Sequence, residues 1–369
     1  MEWFILSRDM HVLCNPSLDA PGSLPIDDSG NNGQEISIVN NVAIGTYDFS
    51  IVASHKDSEF ITEGNYVAFK DKYDKTRLYT IMSISGEDTW NVHCEDIGLD
   101  LINESATAWD YTNSPKTVEE TLNPVLSDTG WVIGVNEIKE KRVATKYTSN
   151  TETWLTRIGQ IMLDFDAECD FEIQMKGNTV TKQVVNIYKI IGEDKTAQRF
   201  VDNVNLISLS KEGSIEDLCT CLKCYGNEQD GKRVTITDIE YDDGRYYSPS
   251  GHVRIYDREA RKKWTRFRAY NYNGQGEFDG YINGIFEYNT TDPQVLFDKG
   301  LEELKKRSEK TVSYEVELYK LQADIGDSVQ IADNIYAEKL YLSARVQSVK
   351  NHYSSNEEDT GVLENFKRL

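Results

Sequence analysis

The chain has 369 residues, 39% of them hydrophobic and 11% aromatic, enough to bury several cores of ordinary size. Its formal net charge of -22 argues against a general nucleic-acid binder, which needs a basic footprint to displace counterions from phosphates. The opening apolar run, Trp3 to Leu6, is too short for a secretory core or a membrane helix, and six cysteines over this length (Cys14, Cys94, Cys169, Cys219, Cys221, Cys224) are too sparse for a disulfide framework. The expected setting is a cytoplasm, with the thiols reduced and mostly buried.

From Glu2 to about Asn103 short strand patterns follow one another: Trp3 to Leu6, Val12 to Cys14, Tyr47 to Val52, Tyr66 to Phe69, Tyr79 to Met82 and Trp90 to Cys94. Turn signals such as Asn15-Pro16, Glu63-Gly64-Asn65 and Gly86-Glu87-Asp88 separate them, and the Gly/Asn-rich run from Ser29 to Glu35 reads as a mobile loop. That pattern predicts a small antiparallel barrel or sandwich.

The character changes at Ser114. Val118, Leu122, Val125 and Leu126 fall at helical spacing up to Gly130, with Pro124 expected to kink or break the helix, and Trp131 to Gly134 is a short strand. A stronger helix spans about Glu152 to Phe165, with Trp154, Ile158, Ile161, Met162 and Phe165 in one stripe behind the cap candidate Thr151. A hairpin follows, Phe171 to Met175 and Val184 to Tyr188, around Lys176-Gly177-Asn178.

The stretch from Asn205 to Gly226 reads as two strands, Ile207 and Leu209 in the first and Leu218 to Tyr225 in the second, around a loop Lys211-Glu212-Gly213-Ser214. In the next eighty residues or so, Val234 to Thr237 and Tyr281 to Phe286 are strands. Asp292-Pro293 starts a helix whose stripe is Leu296, Gly300, Leu301 and Leu304, with basic residues in its last turns. Val312 to Leu318, Ser328 to Ala332 and Leu340 to Val349 return to strands, with the residues around Asn205 to Tyr225 as their expected partners.

The chemistry-bearing residues have plain structural readings beside the functional ones. Cys221 and Cys224 have the CxxC spacing, but an odd separation in a strand puts the sulfurs on opposite faces, and zinc would need a second pair. His93-Cys94-Glu95 resembles a catalytic fragment, yet alternation groups Cys94 with Trp90 and Val92 on the apolar face and His93 with Asn91 and Glu95 on the other. The five histidines (His11, His55, His93, His252, His352) form no HExxH or HxH, and Gly274-Gln275-Gly276 lacks the strand and helix of a dinucleotide fingerprint. The pairs Asp164/Asp166, Asp242/Asp243 and Glu357/Glu358 read as solvated surface in a chain with 62 acids. Arg254, Arg258, Arg261, Lys262, Lys263, Arg266 and Arg268, with Tyr256, Trp264, Phe267 and Tyr270 among them, are either a solvated face or a contact for nucleic acid or an acidic neighbouring subunit. No catalytic, cofactor-binding or metal-binding residue is assigned, and no cofactor is expected.

Taken together and in order, WFILSRDMHVL, LPIDD, TYDFSIVASH, GNYVAFKD, TVEETLNPVLSDTGWVIG, SIEDLCTCLKCYG and LYLSARVQSVKNHY resemble the N-terminal region of siphophage and prophage tail-associated proteins, the minor structural or tail endopeptidase family. The resemblance runs over nearly the whole chain. It implies a β-rich α+β fold like the baseplate hub of contractile-tailed phages, with two small β-barrel domains and two α+β domains. The first barrel would be residues 1–104, the second 196–226 with 311–369, and the α+β blocks 105–195 and 227–310. The function implied is a non-enzymatic structural hub of the virion tail tip, assembled in the bacterial host cytoplasm. It would be a homotrimer that closes the tail tube, contacts the distal tail protein and the tape measure protein, and lets DNA through a channel without specific binding. Larger members carry a receptor-binding or lytic C-terminal extension, and Leu369 falls where the hub-like region would end. The alternatives are a cell-wall peptidase or glycosidase, with a site assembled in space, and a surface adhesin suggested by the 21 tyrosines.

Overall fold

A computed structural model of the chain describes residues 1–201, 206–229, 231–265, 280–318, 323–333 and 340–368. It is β-rich with few helices, and among the described residues no helix is long and apolar enough to cross a membrane. Asn205, Arg266, Phe267, Arg268, Tyr270 and Gly274-Gln275-Gly276 lie outside the described residues.

One hydrogen-bonded sheet of 16 strands carries both ends of the chain. Its path runs from Val12–Cys14 through Trp3–Leu6, Tyr66–Lys70, Thr76–Ser85, Thr89–Asp96, Val42–Val52 and Gly33–Val39, all antiparallel. It then crosses to the closing strand Leu340–Asn351 through Ser37↔Ser348 and Glu35↔Lys350. Beyond it lie Thr360–Arg368, Thr311–Leu318 and Leu206–Ser214. The supposed loop at the Gly/Asn-rich run is therefore half strand: Gly33, Gln34 and Glu35 are already paired. Glycine is required at 33, where φ is +125° and a Cβ would sit 2.9 Å from the Asn351 carbonyl oxygen. Lys211 to Ser214 likewise continue their strand, opposite Thr311 to Tyr314, rather than looping.

The first helix, α1 (Val118–Thr129), is uninterrupted across Pro124. Thr117 and Glu120 close a capping box at its start, Gly130 ends it at φ 75°, and Val118, Leu122 and Val125 are buried beneath it. Pro124 costs only the bond to the carbonyl of exposed Glu120, which solvent can satisfy. In the second helix, α2 (Trp154–Asp164), all five residues of the stripe are buried, and the cap is Thr153, whose hydroxyl accepts from the Thr156 N–H at 3.2 Å, rather than Thr151. The hairpin Glu168–Lys176 and Thr179–Tyr188 covers these helices and joins the main sheet at Cys169↔Val42.

A second sheet of six strands is centred on Cys221–Gln229. Arg254–Asp257 and Asn283–Glu287 flank it, the latter in parallel, so this strand belongs with its own following residues and not with the closing strands expected from alternation. A short basic helix unmarked by apolar periodicity, α3 (Arg258–Trp264), follows one strand of this sheet. The long helix α4 (Pro293–Arg307), capped by Asp292, presses Leu296, Phe297, Leu301 and Leu304 onto Cys219, Leu222 and Cys224.

Candidate functional site

Among the described residues, a set of charged contacts joins elements far apart in sequence. Arg77 enters the interior because it shares its strand face with Tyr79 and Ile81. It donates from Nε to Asp71 at 2.8 Å and from Nη1 to the Phe171 carbonyl at 2.8 Å, with Asp170 at 3.7 Å from Nη2. Asp170 also accepts from Lys75 and from Asn186 Nδ2 at 3.1 Å, while the Tyr73 and Lys75 N–H groups donate to Asp71. Arg77, Asp71 and Asp170 are all buried, so this cluster pins the hairpin to the N-terminal strands.

A second contact pins the hairpin to the closing strand. Arg345 meets Glu168 through two parallel bonds of 2.7 and 2.6 Å and donates to the carbonyls of Gly326 and Ile191 at 3.0 Å each. A third ties the residues after the closing strand to the N-terminal block. The buried carboxylate of Asp28 accepts from the N–H groups of Tyr353 (2.9 Å) and Ser354 (2.8 Å) and from Tyr47 Oη at 3.3 Å. Gln34 bridges Tyr79, Asn351 and Tyr353 beside it. Where α2, α4 and the closing strand converge there is an open cleft of about 540 Å³, lined by Asn40, Leu163, Asp166, Lys299, Arg345 and Gln347 among others.

The sulfurs behave as alternation predicts. Cys221 packs with Tyr256 and Tyr281 on one side of its sheet, and Cys224 packs under α4 on the other. Cys94 is buried with Val92 in the core built on Tyr47 and Phe69, while His93 pairs with Asp48 at 2.7 Å on the opposite face. Burial pushes the thiols up, to about 12 for Cys14, about 11 for Cys219 and about 12 for Cys224, so these are neutral and weakly nucleophilic near pH 7. The five histidines make separate contacts, among them a bond to the Asp57 N–H for His55 and to the Asp28 carbonyl for His352. Among the described residues no group of three or more His, Cys, Asp or Glu is placed to hold a metal ion.

The carboxylate pairs are not all solvated. Asp164 is buried because position 164 follows Ile161 by three on the inner face of α2, and it accepts from Tyr147 Oη at 2.7 Å and Asn289 Nδ2 at 3.1 Å. Burial pushes its carboxyl up to about 6. Asp166 accepts from Lys141 at 2.7 Å and Lys299 at 2.5 Å. In the basic segment, Arg258 is held by Asp242 through two 2.7 Å bonds and lies 4.0 Å over the Tyr247 ring, and Lys263 pairs with Glu309 at 2.9 Å. Part of that cationic run is thus used inside the chain.

One buried acid gives a pH-dependent expectation. Asp96 caps the Ile97–Ile102 turn by accepting from the Gly98 N–H at 2.8 Å, and burial pushes its carboxyl up to about 7. The folded chain then holds a proton there that the unfolded chain releases near the ordinary value of 3.8. This group's contribution therefore falls as pH rises from about 4 to about 7, and its penalty is complete above that. Asp96→Asn keeps the cap and removes the charge. In urea titrations it is expected to stabilise the protein by about 2 kcal/mol at pH 8 and to be near neutral at pH 4; equal effects at both would contradict the assignment.

Sequence comparison finds no matching family model and no significant match among curated proteins. Structural comparison does find proteins of similar overall fold. A prophage tail protein from Listeria monocytogenes superimposes with a TM-score of 0.59 at 13% identity, over 99% of this chain and 94% of that one. The 43 kDa tail protein of prophage MuSo2 from Shewanella oneidensis gives 0.57 at 12% identity over 99% and 98%. A tail protein from Neisseria meningitidis gives 0.54 at 9% over 99% and 97%. At such identities the likeness is one of fold.

Proposed function

We propose that this chain is a structural subunit of a phage or prophage tail tip. The observation that carries the reading is a fold shared along 99% of the chain with three tail proteins of prophages or bacteria. The interior agrees with it: the buried charges at the joints are spent on one another, and the thiols described above are suppressed as nucleophiles, as suits a body that holds shape rather than turns over a substrate.

In finer detail the proposal is a trimeric, non-enzymatic hub that closes the tail tube. Residues 1–104, and 196–226 with 311–369, supply two ring-forming domains per subunit. Residues 105–195 and 227–310 lie outside, and the pairing of Cys221–Gln229 with Arg254–Asp257 and Asn283–Glu287 favours moving 221–226 to the outer block. The distal tail protein is the neighbour above, the tape measure protein ends on the hub, and DNA passes through a channel whose acidic wall repels it, as a net charge of -22 per chain favours. The particle is assembled in the bacterial cytoplasm and the protein resides at the virion tail tip.

Light scattering over a concentration series tests the assembly. A species of three times 42.2 kDa is expected. A monomer throughout, unchanged by added distal tail protein rings, would overturn the hub reading.

A further inference from the structure

The unit formed by the described residues of 221–307 is attached to the other described residues in two different ways. On one side its two covalent connections run side by side. Ser214 pairs with Thr311 in the main sheet, the Cys219 N–H donates to the Arg307 carbonyl at 3.0 Å, and Arg307 Nε donates to the Asp217 carbonyl at 3.1 Å. Two adjacent chain crossings define an axis and leave rotation about it as the easy motion.

On the other side the unit touches the end of α2 through polar groups. Asn289 donates to Asp164 at 3.1 Å and accepts from the Lys146 N–H at 3.1 Å, and Lys299 on α4 reaches Asp166 at 2.5 Å. The apolar cluster beneath α4 and the one beneath α2 have no residue in common. The cleft of about 540 Å³ opens directly beside these contacts. An interface of hydrogen bonds and a half-exposed ion pair lacks the area-proportional hold of a shared core, and its ion pair is weakened by salt.

We propose that residues 221–307 form a hinged arm, pivoting on the paired crossings at 214–221 and 307–311. The Asp164–Asn289 and Asp166–Lys299 contacts are the latch that keeps it folded against α2, and releasing the latch opens the cleft. The arm is a property of the single chain and does not depend on assembly into a ring.

Spin labels at Asp128→Cys on α1 and Glu240→Cys on the arm, both exposed positions, report the motion in a Cys14→Ser background, since the other native cysteines are buried. With the latch intact, pulsed electron resonance is expected to give one narrow distance. Asn289→Ala combined with either Asp166→Asn or Lys299→Gln removes both contacts and adds a second, longer distance separated by more than the width of the first peak. Salt at about 1 M, where screening acts within about 3 Å, weakens the half-exposed Asp166–Lys299 pair and does the same to the Asn289→Ala protein. A single unchanged distance in the Asn289→Ala, Lys299→Gln protein and in Asn289→Ala at high salt, with the melting temperature preserved, would overturn the hinge. Should the double variants fail to fold, Asn289→Ala at high salt decides the matter.

Discussion

Arg77→Met is expected to cost about 3–5 kcal/mol of folding stability. Methionine fills a similar space, so packing alone does not account for the loss. What changes is that Asp71 and Asp170, both buried, lose the cation between them, and the Phe171 carbonyl loses a 2.8 Å donor. Lys75, Asn186 and two backbone N–H groups remain on the acids, which keeps the cost within that range. Adding Asp71→Asn should restore part of the stability, because the second change removes a charge the first left unpaired. Urea denaturation of the two single variants and the double measures the coupling. A loss under about 1 kcal/mol for Arg77→Met, or strict additivity, would show that the cluster does not hold the hairpin to the N-terminal strands.

Arg345→Ala is expected to cost about 3 kcal/mol, and Arg345→Lys should recover little of it. The reason is geometry. One guanidinium satisfies both oxygens of Glu168 and two carbonyls at 3.0 Å, and an ammonium cannot reach four acceptors laid out for a planar fork. Hydrogen exchange gives the sharper readout: protection should fall in the closing strand around Ser343 to Val346 while the N-terminal strands keep theirs. A lysine variant as stable as the parent would contradict the fork as the reason for arginine at this position.

The joints were nearly invisible in the sequence, and the distances along the chain say why. Arg77 and Phe171 are 94 residues apart, Arg345 and Glu168 are 177 apart, and Asp28 and Ser354 are 326 apart. No local periodicity couples such pairs. Arg77 alone left a trace, a charge on the face of a strand otherwise carrying Tyr79 and Ile81. By contrast α2 and α4 were readable because helix burial repeats within a few residues and both starts carry a capping side chain. Among the elements that escaped, three show the physical reason plainly. The Gly33–Val39 strand begins inside a run of turn formers, and the strand Thr360–Arg368 is masked by polar residues. The helix α3 buries only Ala260 and so shows no stripe. The split of Ser208 to Cys224 between two sheets was equally hidden, since alternation marks a strand but not its partner.

A tail-tip subunit must be found at one place in a particle. Antibody raised against this chain and coupled to gold, applied to phage particles or free tails that contain it, is the most direct measurement. Gold is expected at one end of the tail tube, distal to the head, with tails lacking that tip when the gene is deleted. Label along the tube or at the head, or normal tails in the deletion with the protein found only in the soluble fraction, would contradict that placement.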